Sequence, residues 1–321
     1  PRADRLRSLQ VTGLCKIFAT CCMTFCSLLM TPPAFAEQPP SPTTRVVMLG
    51  TGNPNPDPER SGPATAIVVN DQSYLIDFGA GVMRHAAALT PAYGGTIKGL
   101  EAKRVNRAFL THLHSDHTLG FPDLILTPWV MGRTEPLMVF GPEGVREMAE
   151  NTLNAFRADI VYRTSGAESA NNTGWQVTAK TVGEGQIYTD SNISVEAFKV
   201  SHGSWEHAYG YRFTTKDRVV VISGDTAPNA NIEQFSRNAD ILIHSTYSSA
   251  GVASSPPQWQ AYMRMSHTSS LELGELARKV KPKLLVLHHV LFMGSTEEQI
   301  LQEVRQAFDG NIVIANDLDI F

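Results

Sequence analysis

Thr111-His112-Leu113-His114-Ser115-Asp116-His117 packs four candidate metal ligands into six residues. All four are imidazoles or a carboxylate, the donors that suit zinc and its borderline neighbours. A strand alone would send alternate side chains to opposite faces and split the group. A strand that ends in a tight loop can fold all four around one point. We therefore read Val105–Thr111 as strand and His112–His117 as the loop that follows. Three of the chain's ten histidines sit here, too dense a grouping for a chance polar loop.

Other pieces accompany this motif in order. Gly50-Thr51-Gly52 follows the apolar run Val46–Leu49, and Asp77-Phe78-Gly79 follows Tyr74-Leu75-Ile76. An isolated His202 comes next, then Ser223-Gly224-Asp225-Thr226 after Val219–Ile222, then His289 after Leu284–Leu287. From about Arg45 to Phe321 this arrangement resembles the metallo-β-lactamase superfamily. Phe140-Gly141-Pro142-Glu143-Gly144 and Ser266-His267-Thr268-Ser269 resemble its ribonuclease Z and arylsulfatase-like branch.

The resemblance implies a centre of two zinc ions. His112, His114 and His202 would hold the first; Asp116, His117 and His289 the second; Asp225 would bridge both. The same donors also serve manganese and iron. Two adjacent metals can deprotonate a shared water at neutral pH, so no serine or cysteine nucleophile is needed. His288 and His289 are neighbours that must point in different directions, and the resemblance favours His289. It makes Asp116 and His267 the catalytic side chains, with His267 beside the leaving oxygen. The other reading of His267 is a place among residues that suit a helix start, Ser266, Thr268 and Ser269. Asp77 is expected to orient a ligand histidine from behind, and His244 to stand in the same outer layer. Ser245 replaces the acidic residue common after that histidine in ribonuclease Z sequences, which weakens any relay through a carboxylate there. His85 and His207 read as structural or surface residues. Trp129, Trp205 and Trp259 are candidates for an apolar cleft wall, or for ordinary packing.

Residues 1–36 read as an export signal. Arg2, Arg5, Arg7 and Lys16 are basic, Ile17 to Met30 is mostly apolar, and Ala34-Phe35-Ala36 precedes Glu37 as a small-x-small cleavage site. A periplasmic or secreted location follows. All four cysteines lie in this segment, which removes thiolate sites and disulfides from the rest of the chain. The whole chain carries −4; the signal contributes +3, leaving −7 on residues 37–321. So acidic a body is a poor general match for RNA. Residues 37–44 read as a Pro-rich linker and 45–321 as one hydrolase domain.

Within that domain, strands are expected at Arg45–Leu49, Thr65–Val69, Ser73–Asp77, Ser194–Val200, Tyr209–Thr214, Arg218–Ile222, Asp240–His244, Leu284–Leu287 and Asn311–Ile314. Helices are expected at Gly81–Ala88, Pro142–Ala158, Ser269–Val280 and Thr296–Phe308, with short strands and loops over 159–192 and a loop at Ser248–Pro257. Pattern alone gives an α/β or α+β class. The resemblance makes it a four-layer αββα sandwich.

The expected function is an exported, dinuclear zinc hydrolase of esters, either phosphodiesters or aryl sulfates, acting on a small molecule. The alternatives are a tRNA 3′-processing endonuclease of the ribonuclease Z kind, a lactonase or β-lactamase-like hydrolase, and a non-catalytic metal binder. The residues are silent on oligomeric state; proteins of the family the chain resembles are often dimers, so a homodimer is an expectation of the resemblance alone.

Overall fold

In the computed structural model, residues 43–321 are described. The export segment lies outside them, as does the linker up to residue 42. Thr44, expected in the linker, already opens the first strand.

Two sheets face each other. The first joins β1 (Thr44–Gly50), β2 (Ala64–Val69), β3 (Gln72–Ile76), β4 (Arg107–Phe109), β5 (Leu137–Gly141) and β6 (Val177–Thr181) in that order. The second runs β13 (Ile312–Ile314), β12 (Leu284–Leu291), β11 (Ile241–Tyr247), β10 (Val219–Ile222), β9 (Tyr209–Thr215), β8 (Ile193–Lys199), β7 (Gly185–Thr189). Among the described residues, ten α-helices accompany them: α1 (Val82–Ala88), α2 (Ser115–Thr118), α3 (Phe121–Val130), α4 (Val145–Ala155), α5 (Arg157–Ser165), α6 (Ala230–Ser236), α7 (Ser249–Ala253), α8 (Pro257–Ser266), α9 (Ser270–Val280) and α10 (Glu297–Arg305).

The inner strands are apolar on both faces because both faces are covered, whereas the outer strands β6 and β7 keep exposed residues. In β1, Val46 and Met48 pack between the sheets, whereas Val47 and Leu49 pack under α1 and α3. In β12, Val286 faces the other sheet and Leu285 and Leu287 face α9 and α10. This period-two alternation builds three stacked cores, and so a four-layer αββα sandwich. Phe109, Phe140, Tyr211 and Phe213 fill the middle core with ring contacts of 5.1–5.9 Å.

The β2–β3 hairpin turns at Asn70 and Asp71, both left-handed (φ 49° and 60°), a conformation these two side chains tolerate. β3 to β6 run parallel, as do β10 to β13. Chain-terminal residues close the outer edge of β1: Val46 and Phe321 exchange backbone hydrogen bonds of 2.9 and 2.8 Å.

Several elements differ from the sequence reading, among them the helices Ser249–Ala253, inside the expected loop Ser248–Pro257, and Ala230–Ser236. Arg157–Ser165 is helix where short strands were expected, and Phe121–Val130 and Pro257–Ser266 are helices that the pattern did not reveal. The expected strand Val105–Thr111 contracts to Arg107–Phe109, and the ligand loop contains the short helix α2. Among the described residues no helix is long and apolar enough to cross a membrane.

Candidate metal centre

The parallel strands end at one place, and the loops after them meet there. Asp77 follows β3 and takes a left-handed backbone (φ 56°). Its carboxylate accepts hydrogen bonds from the Thr111 amide (2.8 Å) and hydroxyl (2.9 Å) and faces His117 Nδ1 at 2.8 Å. One carboxylate thus ties down both ends of the His112–His117 segment. Thr111 Oγ1 also touches His112 Nδ1 at 3.0 Å. His202 is held by the Ser266 carbonyl on its Nδ1, 2.7 Å away. Each ring is anchored from behind, with its other nitrogen aimed inward.

The inward nitrogens converge. His114 Nδ1 lies 2.9 Å from His112 Nε2 and 3.1 Å from His202 Nε2. Asp225, on the loop after β10, completes this first group, whose donor atoms all lie within 4.8 Å of one another. Asp116, His117 and His289 form a second group on the same criterion. Asp116 Oδ2 stands 3.0 Å from His289 Nε2. Asp225 Oδ2 lies between the groups: 3.5 Å from His289 Nε2, 3.6 Å from His117 Nε2, and 4.0 Å from both His112 and His202. Gly224 permits this placement. It is left-handed (φ 61°), and a Cβ there would sit 2.9 Å from that of Thr111.

The charges reinforce the geometry. Burial pushes the Asp225 carboxyl up, but His289 and His117 outweigh it and hold it well below the usual range. Burial likewise opposes a proton on His117, yet Asp77 and Asp225 hold that ring well above the usual value. The carboxylates therefore demand positive charge at this point, from a proton or from a cation. Burial, then His117, push His112 well below the histidine range, which leaves its lone pair free. His117 Nε2 and Asp225 Oδ1 are buried with no hydrogen-bond partner. Orphaned buried donors and acceptors are rare, and two facing each other's cluster suit a cation held between them. These residues fit a pair of divalent ions.

His267 closes the α8 end of the cleft, its Nδ1 3.9 Å from Asp225 Oδ2 and without a hydrogen-bond partner. Burial lowers it to about 4, so the ring is neutral at pH 7. The helix-start reading falls to its neighbour: Ser269, not His267, caps α9 in a reciprocal capping box with Glu272. His244 is fully buried behind the site, with Nδ1 2.6 Å from the Ser245 carbonyl, and burial lowers it to about 4. His288 turns away, its Nε2 3.0 Å from the Gly50 carbonyl.

Trp205 was read only as a possible wall; its Nε1–H donates to His114 Nε2 at 2.6 Å and braces that ring. Trp129 is packing, buried with its Nε1–H on the Asn171 carbonyl. Trp259 lines the cleft beside Tyr262, a residue the sequence did not single out. Thr111 was also missed as an anchor, although its place before the motif could have signalled it.

Comparisons with known proteins agree with this architecture. The profile of the beta-lactamase superfamily domain matches residues 72–290. A ribonuclease Z of Mycobacterium bovis (strain BCG / Pasteur 1173P2) is 32% identical over 278 residues, 85% of this chain and 96% of that protein. Among solved structures, the metallo-beta-lactamase fold protein YhfI of Bacillus subtilis superposes with a TM-score of 0.66 at 20% identity, over 87% of this chain and 98% of its own. The short form of human tRNase Z gives 0.63 at 20% identity, over 86% and 98%. The two structures share the fold; the profile and the mycobacterial relative carry the kinship. The chain is a metal-dependent hydrolase that belongs to the metallo-β-lactamase superfamily, in its ribonuclease Z branch.

Proposed function

We propose that this enzyme hydrolyses phosphodiester bonds with two zinc ions. The observation that carries the proposal is the position of Asp225 Oδ2, within 4.0 Å of imidazoles from both ligand groups. His112, His114 and His202 would hold one ion, Asp116, His117 and His289 the other, and Asp225 both. Such a pair supplies Lewis-acid polarisation of the ester and activates water at neutral pH.

The chain's own residues then divide the remaining work. Asp116 lines the cleft, and although burial raises its carboxyl, His289 and His117 keep it below the usual range. It is ionised and can accept the proton of the attacking water. His267 is neutral and can donate a hydrogen bond from its N–H to the leaving oxygen as charge develops there. Trp205 and Asp77 keep ligand rings from turning as the charge moves.

The name of the mycobacterial relative favours the phosphodiester of an RNA end over an aryl sulfate. The expectation that placed both esters level, ahead of RNA, gives way to that order. The export segment read at residues 1–36 extends the proposal to an enzyme acting outside the cytoplasm, and the acidic body favours a short substrate over a long polyanion.

The test is a rate comparison on the zinc-loaded full chain. Bis(p-nitrophenyl) phosphate and a tRNA with a 3′ trailer should turn over, and p-nitrophenyl sulfate should not. His267→Ala should keep both metals and lose roughly a hundredfold in rate, the usual scale for removing one hydrogen-bond donor to a developing oxyanion. Turnover of the sulfate alone would overturn the phosphodiester reading, and an unchanged rate in His267→Ala would remove that residue from the reaction. Recovery of protein starting at Glu37 from an exporting host would support the signal; retention of residues 1–36 in the cytoplasm would refute it.

A further inference from the structure

The cleft above the metal cluster holds about 880 Å³. Its floor is polar: His114, Asp116, Asp225, His267 and His289. Asn55, Ser255 and Gln258 add uncharged polar groups, but the large side chains of the rest are aromatic or apolar. Trp259, Tyr262 and Met263 come from α8, and Leu291 and Met293 from the end of β12 and the turn beyond. Among the described residues that line it, none is Lys or Arg.

Trp259 is 52% exposed and Tyr262 39%. Large rings left open to water beside a reactive site are surface that a ligand can cover. They are also organised. Trp259 meets Tyr262 edge to face (5.8 Å, 87°), and Tyr262 meets the His267 ring at 6.1 Å and 69°. An unbroken aromatic run therefore leads from solvent to the imidazole assigned to the leaving oxygen.

We propose that Trp259 and Tyr262 form a stacking subsite for a planar, uncharged aromatic group on the leaving side of the substrate. This rests on the phosphodiester reading above. The absence of cations from the wall means that the held group is not a second phosphate, which would call for Lys or Arg. A π-face needs no charge and no particular hydrogen-bond pattern, so a nucleobase of an RNA end and the aryl ring of a small diester present the same chemistry to these rings. Met263, Leu291 and Met293 add polarizable contacts around it.

The test is calorimetric titration of the zinc-loaded full chain with phenylphosphonate and methylphosphonate, which share the charged head and differ in the ring. The wild type should bind the phenyl compound about tenfold more tightly, in line with one stacked ring. Trp259→Ala should equalise the two, and Trp259→Phe should restore most of the preference. Trp259 is exposed, so the fold should survive, and a thermal melt checks that it does. Equal affinity in the wild type, or a preference unchanged in Trp259→Ala, would overturn the subsite. Adenosine 5′-monophosphate separates the sources. Binding tighter than phenylphosphonate and dependent on Trp259 assigns a nucleic-acid end; weaker binding assigns a small aryl diester. A stacking preference without turnover of any phosphodiester would instead sink the proposed activity and leave the subsite standing.

Discussion

Adjacent residues of a strand point to opposite faces, so His288 and His289 cannot both reach the site from regular β structure. The backbone shows how one is chosen. Along β11 and β12, Ser245 pairs with His288 but Thr246 pairs with Val290, leaving His289 as the extra residue of a bulge. Its φ is 51°, a left-handed conformation that costs an L-residue roughly 1–2 kcal/mol. Bulges recur beside active sites because they re-aim one side chain. Here the bulge turns His289 toward Asp116 and Asp225, while His288 stays on the Gly50 carbonyl. The two substitutions should therefore behave differently. His289→Ala should lose about one of two bound metals by elemental analysis. His288→Ala should keep both and melt earlier, by about 1–3 kcal/mol of stability, because a buried carbonyl loses its partner. Metal loss in His288→Ala with full occupancy in His289→Ala would reverse the assignment. The same pair marks how far the sequence speaks at this scale. His112, His114, Asp116 and His117 share one short segment, and their purpose is visible in its spacing. The choice of His289 depends on register against β11, more than forty residues earlier, and local pattern does not contain it.

The elements that sequence pattern revealed are those whose periodicity their neighbours leave intact. The strands β1 to β3 and β8 to β12, and the capped helices α9 and α10, lie within a few residues of expectation. Two of the missed helices carry a visible reason for silence. α8 begins at Pro257 after Pro256 and points Trp259 and Tyr262 into the cleft rather than into a core, which blurs its apolar stripe. α3 contains Pro128, ordinarily a helix breaker. Pro128 has no N–H for the Leu124 carbonyl, and a residue just beyond the helix compensates. The buried Arg133 guanidinium donates to the carbonyls of Leu124 (3.2 Å), Ile125 (2.8 Å), Val105 (2.8 Å) and Gly174 (2.8 Å). It has no carboxylate partner among these bonds, and burial lowers it to about 10, so it stays charged at neutral pH. One side chain thus repairs α3 and pins it to the segment before β4 and the loop before β6. Arg133→Met should keep the side chain's bulk, strand four carbonyls and lower stability by roughly 3 kcal/mol in denaturant unfolding. Metal content should not change, because Arg133 touches no ligand. A stability loss within about 0.5 kcal/mol, the range of an ordinary surface substitution, would refute the repair.

At the scale of the molecule, the centre sits where the two sheets meet, and neither sheet supplies it alone. The loops after β3 and β4 bring Asp77, His112, His114, Asp116 and His117. The second sheet brings His202, Asp225 and His289. Each proposed ion would draw ligands from both halves of the sandwich, so binding and sheet packing are linked. The linkage has a sign that the charges dictate. With no cation present, Asp77, Asp116 and Asp225 share this space with His117, which the carboxylates favour protonated, and with His112 and His114, which burial keeps from protonating, and the folded state bears the cost of the unmatched charge. A ligand that binds only the folded chain stabilises it by about 4 kcal/mol when its free concentration is a thousandfold above its dissociation constant. For a domain of this size that corresponds to a melting shift of roughly 10 °C. Chelation followed by dialysis should lower the melting temperature by about that amount for the whole unfolding transition, and zinc should restore it. Melting curves that coincide with and without zinc would show that the cluster does not join the two sheets energetically. A loss confined to a small separate transition would place the metals on one half alone.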